Sequence, residues 1–356
     1  MGQFYFKNEK EEQDKGENDY LEYYSYNYQC FKKKNYNTFS SKISQGNEQR
    51  FDIFCIFVGN NGNEISKFIN NHFYLELLKN IDQNKDNNMN IKKSIKETFL
   101  YMNILLEKPE SKKEISQLRL SNFNEENKNQ KKIINEEEAE IKITEDEITE
   151  ILDYTGCSAC LILIDEKNKK LYFGNLGNTE VIIYKEKKET ENEKNKDNKE
   201  NDPIIFASDH KPIDESEKKR IESENGLIIN DKLYGILNTT RGFGNFAYIK
   251  SNEFSQIPSK IFSDEPDILE YEIKDDDECI FMGSESIIEC IDKKGFIEII
   301  RSGQKLENKK SLEDILNDNI SSDFYNNDSE FGFDSIMCTL IKLKKNKKNK
   351  KKEDEK

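Results

Sequence analysis

Few side chains in this chain are equipped for chemistry. It has two histidines, His72 and His210, and seven cysteines, Cys30, Cys55, Cys157, Cys160, Cys279, Cys290 and Cys338. Cys157 and Cys160 have the CxxC spacing of thiol redox and zinc sites. If Cys157 to Ile164 is a strand, however, residues three apart point to opposite faces, so the two thiols cannot share a metal or a bridge. Core packing is the expectation for them, and an odd number of cysteines lying mostly in apolar runs fits reduced intracellular thiols. His72 falls on the apolar face of a helical pattern and is expected to pack in a core; His210, near a turn, is expected to be structural. No HExxH, Walker loop or GxGxxG occurs. What remains are carboxylates at the ends of apolar runs, Glu285, Glu289 and Asp334. Carboxylates hold hard cations such as Mg²⁺ and Mn²⁺, and each acid taken alone is equally well read as a solvated one.

The elements that must position these groups are mostly strands. Short β-type runs cover Phe51 to Val58, Cys160 to Ile164, Leu171 to Phe173, Val181 to Tyr184, Ile204 to Phe206, Ile268 to Ile273, Cys279 to Met282 and Ile336 to Leu343. Many short strands imply sheet-on-sheet packing. Helical spacing appears in Ile65, Phe68, Ile69 and His72, and again in Ile91, Ile95, Phe99 and Met102, so two long helices flank the strands. Asp214 with Glu217 three residues on, Pro212 before and Gly226 after, predicts a third helix with an N-cap, an acid at N3 and a C′ glycine.

Composition bounds the rest. The 356 residues carry 55 Lys+Arg against 70 Asp+Glu, a net charge of -15, which argues against a nucleic-acid backbone as ligand. Hydrophobic residues make up 34% and charged ones 35%, the balance of an ordinary core diluted by solvated insertions. Residues 185–202 contain only Lys, Glu, Thr, Asn and Asp, and residues near 108–146 are rich in Glu, Lys and Asn. Both are expected to be disordered insertions within a single domain over 20–344, preceded by an extension over 1–19 and followed by a basic-then-acidic tail over 345–356. The start, MGQFYFKNEK, has no apolar run of signal length, Gly2 lacks the Ser or Thr that myristoylation wants at position 6, and nothing approaches the ~20 apolar residues of a span. The expected location is cytoplasmic, with a nuclear one left open by the basic tail.

Four ordered segments carry a resemblance. They are Phe57-Val58-Gly59-Asn60-Asn61-Gly62; Tyr154 to Ala159 with Tyr172 to Glu180; Ser208-Asp209-His210-Lys211-Pro212 with Glu217, Arg220, Ile221, Gly226 and Leu237 to Asn245; and Glu265-Pro266-Asp267, Phe281 to Glu289 and Asp334-Ser335-Ile336. Together they resemble the PP2C (PPM-type) metal-dependent serine/threonine protein phosphatases, whose corresponding motifs read F-D-G-H-G-G, S-G-S-T-A with G-D-S-R, S-D-H-K-P with E-x-x-R-I and L-x-x-x-R-x-F-G-D, and E-P, S-D-G-x-x-D and D-N-I-T. The resemblance implies an α+β fold, a four-layer α-β-β-α sandwich of two antiparallel sheets flanked by helices, with a metal site at one end.

Phosphomonoester hydrolysis of this kind uses two divalent cations ~3.5–4 Å apart to activate a water and neutralise the phosphoryl oxygens, and an acid to protonate the leaving alkoxide. By the resemblance, Val58 stands where the bridging Asp would be and offers no lone pair. Gly59 keeps the carbonyl that ligates one ion. Asn60 replaces the general acid, and an amide gives up no proton at useful pH. Glu285 and Glu289 replace ligand aspartates one methylene longer, Asp334 is retained, and Asn178 replaces the third-site Asp. Upstream, Lys32 or Lys33 stands for the phosphate-gripping Arg, a point charge without the guanidinium fork, while Tyr36 and Asn37 replace the acids that follow.

The reading favoured by these losses is a catalytically impaired pseudophosphatase acting in phosphosignalling by binding protein partners, phosphoproteins among them. It is expected to be monomeric, with no cofactor held tightly. The alternatives are a weakly active phosphatase using Mg²⁺ or Mn²⁺, and a scaffold acting through the acidic insertions.

Overall fold

The computed structural model describes residues 11–28, 37–43, 51–84, 90–131, 143–186, 203–207, 210–249, 261–288, 291–293, 295–305, 311, 314 and 335–344. In chain order the elements begin β1 (Glu11–Glu17), β2 (Leu21–Tyr28), β3 (Thr38–Lys42), β4 (Asp52–Asn60), α1 (Glu64–Gln83), α2 (Ile91–Leu106), α3 (Pro109–Lys131) and α4 (Glu145–Tyr154). Then come β5 (Gly156–Asp165), β6 (Lys170–Leu176), β7 (Thr179–Lys185), β8 (Ile204–Ala207), α5 (Glu215–Ser223), β9 (Ile228–Ile229), β10 (Lys232–Leu233) and β11 (Phe243–Gly244). The chain continues through α6 (Phe246–Ile249), β12 (Asp267–Glu272), β13 (Asp277–Ser284), α7 (Glu285–Ile288), α8 (Phe296–Lys305) and β14 (Ile336–Leu343). One sheet runs β1-β2-β14-β13-β7-β8 and the other β12-β6-β5-β4-β3. The strand pairs within both are antiparallel.

Alternation along the strands makes the layers. In β4, Phe54 and Ile56 face the other sheet, meeting Ile280, Met282 and Met337, while Ile53, Cys55 and Phe57 face outward onto Phe68 and Phe73 of α1 and Phe99 of α2. On the opposite side Ile182, Phe281 and Cys338 turn outward to Ile287, Phe296 and Ile300. This is the expected four-layer sandwich. Cys157 joins the helix-side core and Cys160 the inter-sheet core, so the CxxC thiols do point to opposite faces. Cys55, Cys157, Cys160, Cys279 and Cys338 are buried and free, and burial pushes their thiols upward in pKa, Cys55 and Cys279 to about 12, which leaves them protonated at neutral pH. Cys30 and Cys290 lie outside the described residues. No described helix is long and apolar enough to cross a membrane.

Four expectations need correction. The chain before residue 20 is not all extension: β1 pairs along its whole length with β2, from Glu11↔Tyr28 to Glu17↔Glu22. As a sheet edge it needs backbone bonds and little apolar surface, which is why EEQDKGE carries no strand signal. The 108–146 stretch is not an insertion throughout, because 109–131 form α3 and Ile115 is completely buried against α1 and α2. Polar contacts complete the attachment, and His72 makes one of them: its Nε2 lies 2.6 Å from Glu114 with the side chain 37% exposed, so it clasps two helices at the surface instead of packing in the core. At α5, Asp214 is the N-cap residue but its carboxylate accepts from the Lys211 N–H (2.9 Å), and Asn225, not Gly226, takes the left-handed C′ position (φ 60°). Gly226 is C″, donating to the Ile221 carbonyl at 2.9 Å, and a side chain there would strike Ile221. Of the 185–202 insertion only 185 and 186 are described, and residues 132–142 and the tail from 345 lie outside.

Candidate functional site

Strand register gathers the implicated residues at one end of the sandwich. Thr38 pairs with Phe57, Val58 with Ser158, Asn60 with Gly156, Leu176 with Ala159, Thr179 with Ser284, and Ile336 with Tyr28. The same end therefore holds Asn37, Val58 to Asn60, the β6–β7 turn with Asn178, Glu285 and Ser335. Continuing the β4 alternation, Val58 follows Phe54 and Ile56 on the face toward the opposite sheet and is half-buried at its mouth.

The β6–β7 turn is fixed from three sides. Gly177 has φ 107°, and a Cβ there would meet the Ser158 hydroxyl at 2.2 Å, so only glycine fits. Its N–H donates to Nδ1 of His210 at 3.0 Å, and Asn175 bonds both the Gly177 carbonyl (3.0 Å) and the Thr179 hydroxyl. His210 is 3% exposed; with Nδ1 accepting, Nε2 carries the proton and faces Asp267 at 3.2 Å. Its carbonyl accepts from the Thr240 N–H (2.8 Å) and hydroxyl (2.9 Å). His210 is structural, as expected.

Behind it lies a buried ionic network. Glu217, the acid at N3 of α5, turns inward to Arg220 (2.6 Å), to Nε of Arg241 (3.1 Å) and to the Thr240 hydroxyl, while Arg241 reaches Asp267 at 3.2 Å. Burial alone would raise the Glu217 carboxyl; the bonds from Arg241, Arg220 and Thr240 outweigh it and bring it down to about 2.

The cleft floor departs from a cation site. Glu285, at the start of α7, pairs with Lys211 Nζ at 3.1 Å. Glu180, 4% exposed, pairs with Lys293 at 2.7 Å. With Asn178 and Ile288 these groups line a cavity of about 380 Å³ in which two ammonium groups answer two carboxylates. Asn178 is 9% exposed, and its Nδ2 has no hydrogen-bond partner among the described residues. Asn37 (7% exposed) points its amide at the Ser335 carbonyl, 3.5 Å away, which places it beside the start of β14. Asp334 itself, Glu289, Lys32, Lys33 and Tyr36 lie outside the described residues. The donors that are described do not fit a pair of divalent ions: Val58 has no lone pair, Asn178 is neutral, and Glu285 is already neutralised by an ammonium. Among the described residues no three His, Cys, Asp or Glu side chains are grouped to share a cation.

The sequence pointed to Glu285 and Asn178 but not to their neighbours. Lys211 lay within a quoted motif and Glu180 closed another, yet nothing local says that an ammonium meets each acid; Lys293, 113 residues from Glu180, carries no motif at all.

The family model for Protein phosphatase 2C matches residues 103–327, and the chain belongs to that family. Its curated relatives include Probable protein phosphatase 2C 6 of Paramecium tetraurelia, 26% identical over 294 residues that cover 82% of this chain and 83% of that protein. Protein phosphatase 2C 1 of the same organism is 26% identical over 303 residues, 83% of this chain and 84% of its own. Among solved structures, a serine-threonine phosphatase 2C from Toxoplasma gondii superimposes with TM-score 0.62 over 94% of this chain and 99% of its own, at 12% identity, a likeness of fold. Enzymes of this family generally work with Mg²⁺ or Mn²⁺.

Proposed function

We propose that this chain is a pseudophosphatase of the PP2C family, acting in phosphosignalling by holding protein partners. The observation that carries the reading is the coincidence of three changes at one end of the sandwich: an isopropyl group at Val58, an amide at Asn60, and the Glu285 carboxylate taken by Lys211. Without a bridging ligand two cations repel each other unscreened, and without a group of suitable pKa the leaving alkoxide departs unprotonated. The framework around these positions is intact, from the Gly177 turn to the Glu217 network, so the fold is kept while its chemistry is dismantled. Carboxylates already answered by ammonium groups, Glu285 by Lys211 and Glu180 by Lys293, give the described cleft no net call for cations, which suits protein recognition better than ion binding.

The decisive experiment is a Mn²⁺ and Mg²⁺ titration of the purified protein by calorimetry, with phosphopeptide turnover read on the same sample. Weak or absent heat and turnover at background are expected. Robust Mn²⁺-dependent hydrolysis, abolished by Asp334→Ala, would instead establish a metal-dependent serine/threonine phosphatase.

A further inference from the structure

A groove of about 330 Å³ opens beside the cleft, between α3, α4 and the turn that follows β4. Leu120, Ile143 and Ile151 give it an apolar floor, and Glu147 and Glu150 of α4 stand on its rim. Among the described residues the charge of the rim is acidic. Arg119, its one cation among the described lining residues, is tied at 3.1 Å to the buried Glu64. Glu147 is held below the usual carboxylate range by the Thr144 N–H and hydroxyl, and Glu150 is exposed and forms no ion pair among the described residues.

Two further features fix what such a groove receives. Its volume is at the lower end of the ~300–1,000 Å³ of ligand sites, room for one or two side chains of a peptide. At its edge the half-exposed ring of Tyr154 sits edge-on to Tyr248 (6.5 Å between centroids), which stacks on Tyr234 (5.8 Å), a row of flat aromatic surface leading away from the floor. A guanidinium satisfies both at once, forking onto a carboxylate and lying on a tyrosine face. Asn61 also lines the groove, donates to the Tyr154 carbonyl at 2.9 Å, and follows Asn60 in the chain.

We propose that this groove docks a short segment of a partner protein that carries an arginine next to an aliphatic side chain, the arginine on Glu150 and Tyr154 and the aliphatic group on Leu120 and Ile151. The inference rests on the reading of the chain as a partner-binding protein and names the chemistry of the partner segment.

The test is fluorescence anisotropy with a labelled peptide containing Arg-Arg-Leu-Ile, against controls with Glu for Arg and with Ala for Leu-Ile, on the full chain and on Glu150→Lys, Tyr154→Ala and Val58→Asp. Both groove substitutions are at exposed positions, and circular dichroism checks their folding. Expected is saturable binding by the wild type, at least about tenfold weaker for either control peptide and for Glu150→Lys, as loss of a charge-assisted pair implies, weaker for Tyr154→Ala, and unchanged for Val58→Asp. Absence of saturable binding, or equal binding by wild type, Glu150→Lys and Tyr154→Ala, overturns the proposal. Loss in Val58→Asp alone also overturns it, moving the interface into the cleft while leaving the partner-binding reading standing. Robust phosphopeptide turnover would defeat that reading, and the anisotropy comparison would still decide the groove.

Discussion

The ammonium of Lys211 stands 3.1 Å from the carboxylate of Glu285, closing across the mouth of the sandwich a bond between the segment before α5 and the end of β13. Both groups are partly exposed, about a quarter and a third of their side-chain surface, so the pair itself contributes little to stability. Its consequence is chemical: any cation that takes Glu285 as a ligand must first displace Lys211.

Replacing Lys211 with Met should therefore leave the fold's stability nearly unchanged and increase whatever response to divalent ions the site retains. The measurement is the shift in melting temperature on adding Mn²⁺ to wild type and Lys211→Met. A ligand at 100 times its Kd adds about 2.7 kcal/mol, well within reach of a thermal scan. An equal shift in both proteins would show that the ammonium does not guard the carboxylate.

Glu217 gives a prediction in acid. Its folded carboxyl lies at about 2, below the ordinary 4.5, so the unfolded chain binds the proton more readily between those values. The stabilisation from its bonds is complete above about pH 4.5 and is lost as pH falls through about 2. Glu217→Gln should cost about 3–5 kcal/mol at neutral pH, the usual result of breaking one side of a buried ionic network, and should flatten the pH dependence of stability within that acid window. Urea melts at several pH values check both.

The sandwich was legible because its central strands are continuous apolar runs and its two main helices carry strong periodicity; β14 was read to the residue. The edge was not. β1 has no apolar face, and in β2 the tyrosines alternate with the buried Ser25 and Asn27, whose partners, Thr339 and the Asn37 carbonyl, lie outside the strand, the first of them 314 residues away. The sequence could name candidate positions for a site but not the bonds among them. Val58 and Asn60 declare their chemistry by residue type, whereas the pairs Lys211–Glu285 and Lys293–Glu180 form only once register brings their strands together.

A third prediction follows from α3, where sparse apolar positions among charged ones conceal a docked helix. Ile115 is wholly buried against α1 and α2. Ile115→Ala should cost about 2–5 kcal/mol, measured by denaturant unfolding. A cost near zero would return this stretch to the status of an insertion the core does not need.

On the pseudophosphatase reading, the missing groups can be put back one at a time. Val58→Asp places a carboxylate at the mouth of the inter-sheet face, on the strand that continues into Gly59 and Asn60, and so supplies the oxygen ligand that the cleft most plainly lacks. Divalent binding should rise, as a Mn²⁺-dependent calorimetric heat absent or weaker in the wild type, and further in the double variant with Lys211→Met, where Glu285 no longer has a competing ammonium. Turnover should stay low in both, because Asn60 still cannot protonate a leaving group, and general acid catalysis is worth roughly 10²–10⁴ in rate. Adding Asn60→His to Val58→Asp should then raise phosphopeptide hydrolysis by an amount in that range. If Val58→Asp alone restores full hydrolysis, the acid position is dispensable here and a single side chain separates this protein from an enzyme. If the Val58→Asp/Asn60→His pair binds Mn²⁺ and remains silent, the defect lies in how the phosphoryl group is gripped.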